Sequence, residues 1–145
     1  MPDIRLMRSS DIQDILRIEQ LSFSCPWPEE AFVSSALTAS YVLVEADGVV
    51  GYIMYHNVLD ESMIINFAID PAFRNRGWGS ELLGGTLQIM LESGIKTFWL
   101  DVRESNATAR NLYQKYGFQL AGCRKNYYTQ PDEDAVVMVK HAQQD

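Results

Sequence analysis

Two periods organise the apolar residues of this chain. Ile12, Ile15, Leu16 and Ile18 recur at roughly helical spacing behind Ser10-x-x-Gln13, a capping-box pattern. Leu83, Leu87, Met90 and Leu91 form a second stripe within 80–92, and Gly94 supplies its stop. A third helix is predicted over 106–116, ending at Gly117, and another from Pro28 to about Thr38, with Glu29 and Glu30 in its first turn. Elsewhere the pattern is that of strands. Within 97–103, Phe98, Leu100 and Val102 share one face, and Trp99, Asp101 and Arg103 share the other. Residues 4–7, 41–46, 49–56, 63–69, 120–128 and 135–140 read as further strands, with Asp47-Gly48 as a hairpin signal. The segment from 63 through a helix to 103 is one βαβ unit. The whole order predicts a mixed α/β sheet flanked by helices, in a single domain over 1–145.

Composition narrows the classes. The chain has 145 residues, 47% of them apolar, enough for one domain with a sizeable core. No run approaches the ~20 apolar residues of a membrane span, and the first ten residues lack the apolar centre of a signal peptide. A formal net charge of −7 argues against a nucleic-acid surface and suits a cationic substrate. Cys25 and Cys123 lie far apart without metal-ligand spacing, and a cytosolic setting with both thiols reduced is expected. Cys123 reads as buried. His56 and His141 lack the further ligands that a zinc site needs, so no metal is expected.

The chemistry concentrates at Arg74-Asn75-Arg76-Gly77-Trp78-Gly79, between a predicted strand and a predicted helix. The free N–H groups of a helix's first turn, the helix dipole and two glycines make an anion site there. Arg74 and Arg76 add positive charge, which points to a phosphorylated cofactor. No lysine follows Gly79, which disfavours a nucleotide-binding P-loop. Ser80, Glu81 and Leu82 break the dinucleotide fingerprint. A glycine turn that binds nothing is the bland alternative.

The pattern Arg-x-x-Gly-x-Gly resembles the pyrophosphate turn of the GNAT superfamily of N-acetyltransferases, which use acetyl-CoA. Further segments extend the likeness over nearly the whole chain: Ile69-Asp70-Pro71, Trp99-Leu100-Asp101-Val102-Arg103, Ser105-Asn106-Ala107-Thr108-Ala109 and Leu112-Tyr113-Gln114-Lys115-Tyr116-Gly117-Phe118. Cys25-Pro26-Trp27-Pro28 and Arg124-Lys125-Asn126-Tyr127-Tyr128 are similar to the ribosomal-protein alanine N-acetyltransferases, the RimI type. The resemblance implies a splayed mixed sheet with the cofactor in the wedge. It places Phe67, Ala68 and Ile69 along the pantetheine arm, and Asn75, Arg76, Gly77, Trp78, Gly79 and Ser80 around the pyrophosphate. It gives Asn106 a cofactor contact near the thiol, Tyr113 the proton for the departing thiolate, and Trp27, Tyr127 and Tyr128 the acceptor side. Asp101 stands where the family has a catalytic glutamate; one methylene shorter, it would reach the amine through a water.

Chemistry supports these roles independently. An α-amine, with a pKa of about 7.7–8.0, is roughly a quarter neutral near pH 7.4, whereas a lysine amine is neutral at about one part in a thousand. A modest base therefore suffices for an α-amine. Each residue keeps a bland alternative. Asp101 could pair with Arg103 or Arg124, Tyr113 could be core with a satisfied hydroxyl, Asn106 could be only a helix cap, and the three aromatics could be packing. The expected function is direct acetyl transfer to a protein N-terminus, that of a ribosomal protein. A lysine or polyamine acceptor and a non-catalytic CoA-binding module are the rivals.

Overall fold

The computed structural model describes residues 2–32, 37–46 and 48–142. Seven strands form one sheet in the order β1-β2-β3-β4-β5-β7-β6: β1 Asp3–Leu6, β2 Thr38–Glu45, β3 Gly48–Val58, β4 Glu61–Ile69, β5 Thr97–Arg103, β6 Gln119–Tyr128 and β7 Glu133–His141. Among the described residues only β4 and β5 run parallel, because the chain between them crosses over as helix α2, Trp78–Glu92; the other pairings are antiparallel. The sheet is therefore mixed, as its βαβ segment predicts.

Helix α1, Ile12–Ser22, covers one face through Ile15 and Ile18, which pack with Phe32, Val42, Tyr52 and Ala68. The other face takes α2 and α3, Ala107–Lys115. Leu82, Leu83, Leu87 and Met90 pack there with Ile53, Phe98, Leu100 and Tyr113. The alternation in β5 holds: Phe98, Leu100 and Val102 are buried, and Trp99, Asp101 and Arg103 are half-buried on the other side.

Two expectations fail. The helix expected over 28–38 is a 3-10 turn at Glu29–Phe32, and Thr38 already opens β2. Residues 33–36 of that span, and Asp47 of the expected hairpin signal, lie outside the described residues. Within the described part, Phe32 is buried and its ring packs against Trp27 and Tyr52. Cys123 is exposed, not buried, because β6 is an edge strand with both faces largely open to water.

The feature that matters for function is a tear in the sheet. The β4–β5 ladder runs only from Glu61↔Thr97 to Ile64↔Leu100. A bulge in β4 opposite Met54 and Tyr55 turns the strand at that point. Beyond it β4 remains paired with β3 but has no strand partner on its β5 side among the described residues.

Candidate active site

The tear opens into a cavity of about 840 Å³, within the range of small-molecule sites. Its walls come from α1 and the loop after it, the open half of β4, the turn before α2, and the exposed face of β5 with α3. Asp70 N–H goes to Val50 O on β3. Period-two alternation then points the N–H groups of Phe67 and Ile69 to the open edge, and the side chains of Phe67, Ala68 and Ile69 line the cavity.

At one end lies the turn. Asn75 and Gly77 are left-handed, with φ of 65° and 80°, and Gly77 is the N-cap of α2. The first backbone bond of this helix is Glu81 N–H to Gly77 O, so the N–H groups of 75–80 have no backbone acceptor among the described residues. A Cβ built on Gly79 would meet only ordinary contacts, 3.6 Å from Ile69 and 3.8 Å from Leu112 and Phe67. Packing does not demand glycine there, and Gly79 lines the cavity. Asn75, Gly77, Trp78 and Gly79 line the cavity, whereas Arg76 and Ser80 do not. The Arg76 guanidinium lies over the rings of Phe73 and Trp78, at 5.1 and 5.5 Å. Ser80 bonds the Tyr116 hydroxyl at 2.5 Å. Arg74 donates to Ile69 O and Ser22 Oγ, joining the end of β4 to the end of α1.

At the other end, Asp101, Tyr113 and Tyr128 meet. The Asp101 carboxyl, 7% exposed, accepts from Arg124 Nε at Oδ1, 3.1 Å away, and its Oδ2 has no hydrogen-bond partner among the described residues. Arg124 is the partner, not Arg103, which holds Glu133 and the carbonyls of Thr129 and Pro131. Tyr113 is 8% exposed, its ring packed on Phe67 and Phe118. Its hydroxyl has no hydrogen-bond partner among the described residues. Burial pushes that hydroxyl well above the ordinary tyrosine range, and Tyr128 pushes it further. The Tyr128 hydroxyl is itself pushed up to about 12, by burial first and then by the charge of Asp101. Both phenols therefore keep their protons at neutral pH.

Asn106 Oδ1 caps α3 by accepting from Ala109 N–H at 3.2 Å, and the residue lines the cavity. Trp27 lines the cavity and packs on Phe32. Tyr127 does not line it; it is 52% exposed and stacks edge-on against Tyr128.

Sequence reasoning overlooked Glu19. It lies seven residues after Ile12 and four after Ile15, on the buried face of α1, and is 1% exposed. Its Oε1 accepts from Tyr52 Oη and from Asn66 Nδ2 at 2.9 Å; its Oε2 accepts from Trp27 N–H at 2.9 Å. The signal was present as a charge interrupting an apolar stripe. Arg17, bonded to Asp70 at 3.0 Å, likewise ties α1 to the end of β4.

A torn sheet, an open strand edge and a turn with free N–H groups at the end of that edge form a cleft suited to a long ligand with an anionic group. The comparisons with known proteins agree. The acetyltransferase (GNAT) family matches residues 12–118. A Bacillus subtilis protein is 38% identical over 93% of this chain and 92% of its own length. The [ribosomal protein bS18]-alanine N-acetyltransferase of Haemophilus influenzae is 36% identical over 95% of this chain and 97% of its own. The crystal structure of the ribosomal-protein-S18-alanine N-acetyltransferase from Escherichia coli superposes with a TM-score of 0.94 at 32% identity, covering 100% of this chain and 96% of that one. The chain belongs to the acetyltransferase (GNAT) family and is an N-acetyltransferase. That family uses acetyl-CoA.

Proposed function

We propose that this enzyme acetylates the N-terminal α-amine of a protein, and that its acceptor is the N-terminal alanine of a small-subunit ribosomal protein in the cytoplasm. The observation that carries the reading is one continuous cavity with the backbone-lined turn at one end and Asp101, Tyr113 and Tyr128 at the other, walled by Trp27. Relatives similar over nearly their whole length carry names that specify that acceptor. Among the described residues no helix is long and apolar enough to cross a membrane.

The donor end fits acetyl-CoA. The N–H groups of 75–80 and the positive end of α2 suit a pyrophosphate. The bare Cα of Gly79 leaves room for its approach, and the open edge of β4 suits an amide-bearing arm. Acetyl-CoA supplies an activated acetyl group when bound. The protein supplies orientation and proton transfer. A donor N–H of Phe67 or Ile69 polarises the carbonyl under attack. Arg124 holds Asp101 by Oδ1, so Oδ2 takes the acceptor's proton through a water. Tyr113, kept protonated by its burial and free of any protein acceptor, gives its proton to the departing sulfur. Both substrates are bound together, and transfer is direct.

An acceptor panel tests this reading. An Ala-initiated peptide should be acetylated once, at its N-terminus. The same peptide with a blocked terminus and free lysines, and spermidine, should not react. Acetyl groups on the lysines of the blocked peptide at the unblocked rate would overturn it.

A further inference from the structure

The cavity contains a carboxylate that the proposed mechanism does not use. Glu19 is almost wholly buried, lines the cavity beside Trp27, and has no cation within ion-pair distance among the described residues. Burying an unpaired carboxylate is costly, and such groups persist where they are fully hydrogen-bonded or have a task. Here the bonding is nearly complete. A carboxylate has about four acceptor positions, two on each oxygen. Tyr52 and Asn66 fill both positions on Oε1, and Trp27 N–H fills one on Oε2. No donor among the described residues fills the second position on Oε2. Three donors from β3, β4 and the loop after α1 thus fix the carboxylate rigidly, at a site where an apolar side chain would satisfy the helix.

The other charges of the cavity are committed. Arg124 neutralises Asp101, Glu133 neutralises Arg103, and Arg74 is spent on Ser22 and Ile69 near the donor end. Glu19 is left as the uncompensated negative charge of the acceptor end. An α-amine arrives mostly as ammonium at neutral pH. It brings a positive charge and three donors to an end of the cavity where Asp101 Oδ2 and one position on Glu19 Oε2 have no donor, and where Glu19 pairs with no cation among the described residues.

We infer that Glu19 is the acceptor-binding carboxylate of this enzyme: the open position on Oε2 receives the N-terminal ammonium and, through Trp27 N–H, the same side chain holds the loop that walls it. Asp101 and Glu19 thereby divide two tasks, the first taking the proton and the second selecting a cationic terminus. The inference rests on the α-amine reading above.

The competing account is that Glu19 only anchors the Trp27 loop. Paired peptides separate the two. One is an Ala-initiated peptide; the other is its desamino counterpart, in which hydrogen replaces the terminal amine and no charge remains. Their affinities for the enzyme bound to CoA are measured by calorimetry. The wild type should favour the amine peptide at least tenfold. Glu19→Gln should reduce that preference to about twofold or less while altering the affinity of the desamino peptide little. Tyr52→Phe keeps the charge and frees a position on Oε1, so it should preserve or raise the preference. Equal weakening of both peptides by Glu19→Gln would assign Glu19 to the loop alone. A wild type that binds both peptides equally would overturn the inference without any variant. A wild type that fails to acetylate the Ala-initiated peptide would remove the α-amine reading beneath it; acetylation with an unchanged preference in Glu19→Gln would overturn the inference alone.

Discussion

The two ends of the cavity are built from different materials. The donor end is mostly backbone: the unpaired N–H groups of 75–80, the open edge of β4 and the missing side chain of Gly79. The acceptor end is all side chains, brought from α1, β5, α3 and β6 to one place: Glu19, Asp101, Tyr113 and Tyr128. A backbone site tolerates change in most of its side chains and depends on local conformation. A side-chain site is sensitive residue by residue and depends on the whole fold. In the proposed reading the first end takes the acetyl-CoA that the family uses and the second takes the acceptor amine.

The comparison can be broken at either end. The largest effect is expected at Tyr113. Tyr113→Phe should lower kcat on the order of a hundredfold, since it removes a proton donor, and leave acetyl-CoA affinity nearly unchanged. Wild-type turnover in that variant would remove the hydroxyl from the mechanism. Next is the donor end. Gly79→Val should weaken acetyl-CoA binding about tenfold, roughly 1.4 kcal/mol, with kcat at saturation much less affected. The contacts around a Cβ at this position begin at 3.6 Å, so the fold should persist, as circular dichroism would verify. Unchanged calorimetric affinity would mean that the phosphates lie elsewhere.

A pH series sharpens the acceptor end. Tyr113 and Tyr128 are both raised, so neither should ionise below pH 10. An acid must be protonated to act, so kcat/KM should rise from pH 7 as the amine loses its proton, then hold level to pH 10. Asp101→Asn should cost most at the low end, about tenfold at pH 7, and little where the amine is already neutral. An alkaline fall beginning near pH 9 would contradict the protonated phenols, and a loss uniform from pH 7 to 10 would make Asp101 a structural residue.

The smallest effect concerns the mounting of α1. Asp11, buried at its start, accepts from both Arg5 Nη groups, at 2.8 and 2.9 Å, and from Arg8 N–H. These bonds, those from Arg5 foremost, outweigh burial and lower its pKa. A lowered carboxyl stabilises the fold above the unfolded value of about 3.9 and loses that contribution as pH falls through the folded value. Asp11→Asn should therefore cost about 2 kcal/mol at pH 7 by urea unfolding, and the gap should close below pH 4. A gap that is constant with pH would show that the side chain's shape, not its charge, matters.

The difference between the two ends also explains what the sequence discloses. The donor turn is contiguous, so Gly77-Trp78-Gly79 after a strand is readable directly. The strands are readable wherever one face is buried, as in β5. The acceptor end is scattered. Asp101 and Tyr113 became visible through the family likeness, while the Asp101–Arg124 pair joins residues 23 apart and was one of two options. Glu19 was hidden because its partners, Tyr52 and Asn66, lie 33 and 47 residues away. At the start of the expected helix over 28–38, Pro28, Glu29 and Glu30 lead into a 3-10 turn, which they open as readily as an α-helix.

The tear between β4 and β5 has a further consequence. A strand with one bare edge is an adhesive surface, which proteins ordinarily cover, charge or shorten. Here the bare edge faces the cavity, which suits a slender arm carrying amides. A ligand laid along it becomes an eighth strand in all but name, borrowing the pairing rules of β-augmentation. Amide exchange would register this directly: the N–H groups of Phe67 and Ile69, quick to exchange in the free enzyme, should slow on addition of acetyl-CoA, while that of Asp70, already bonded to Val50, should hardly change. In the proposed reading the sheet stays incomplete until acetyl-CoA lies along that edge.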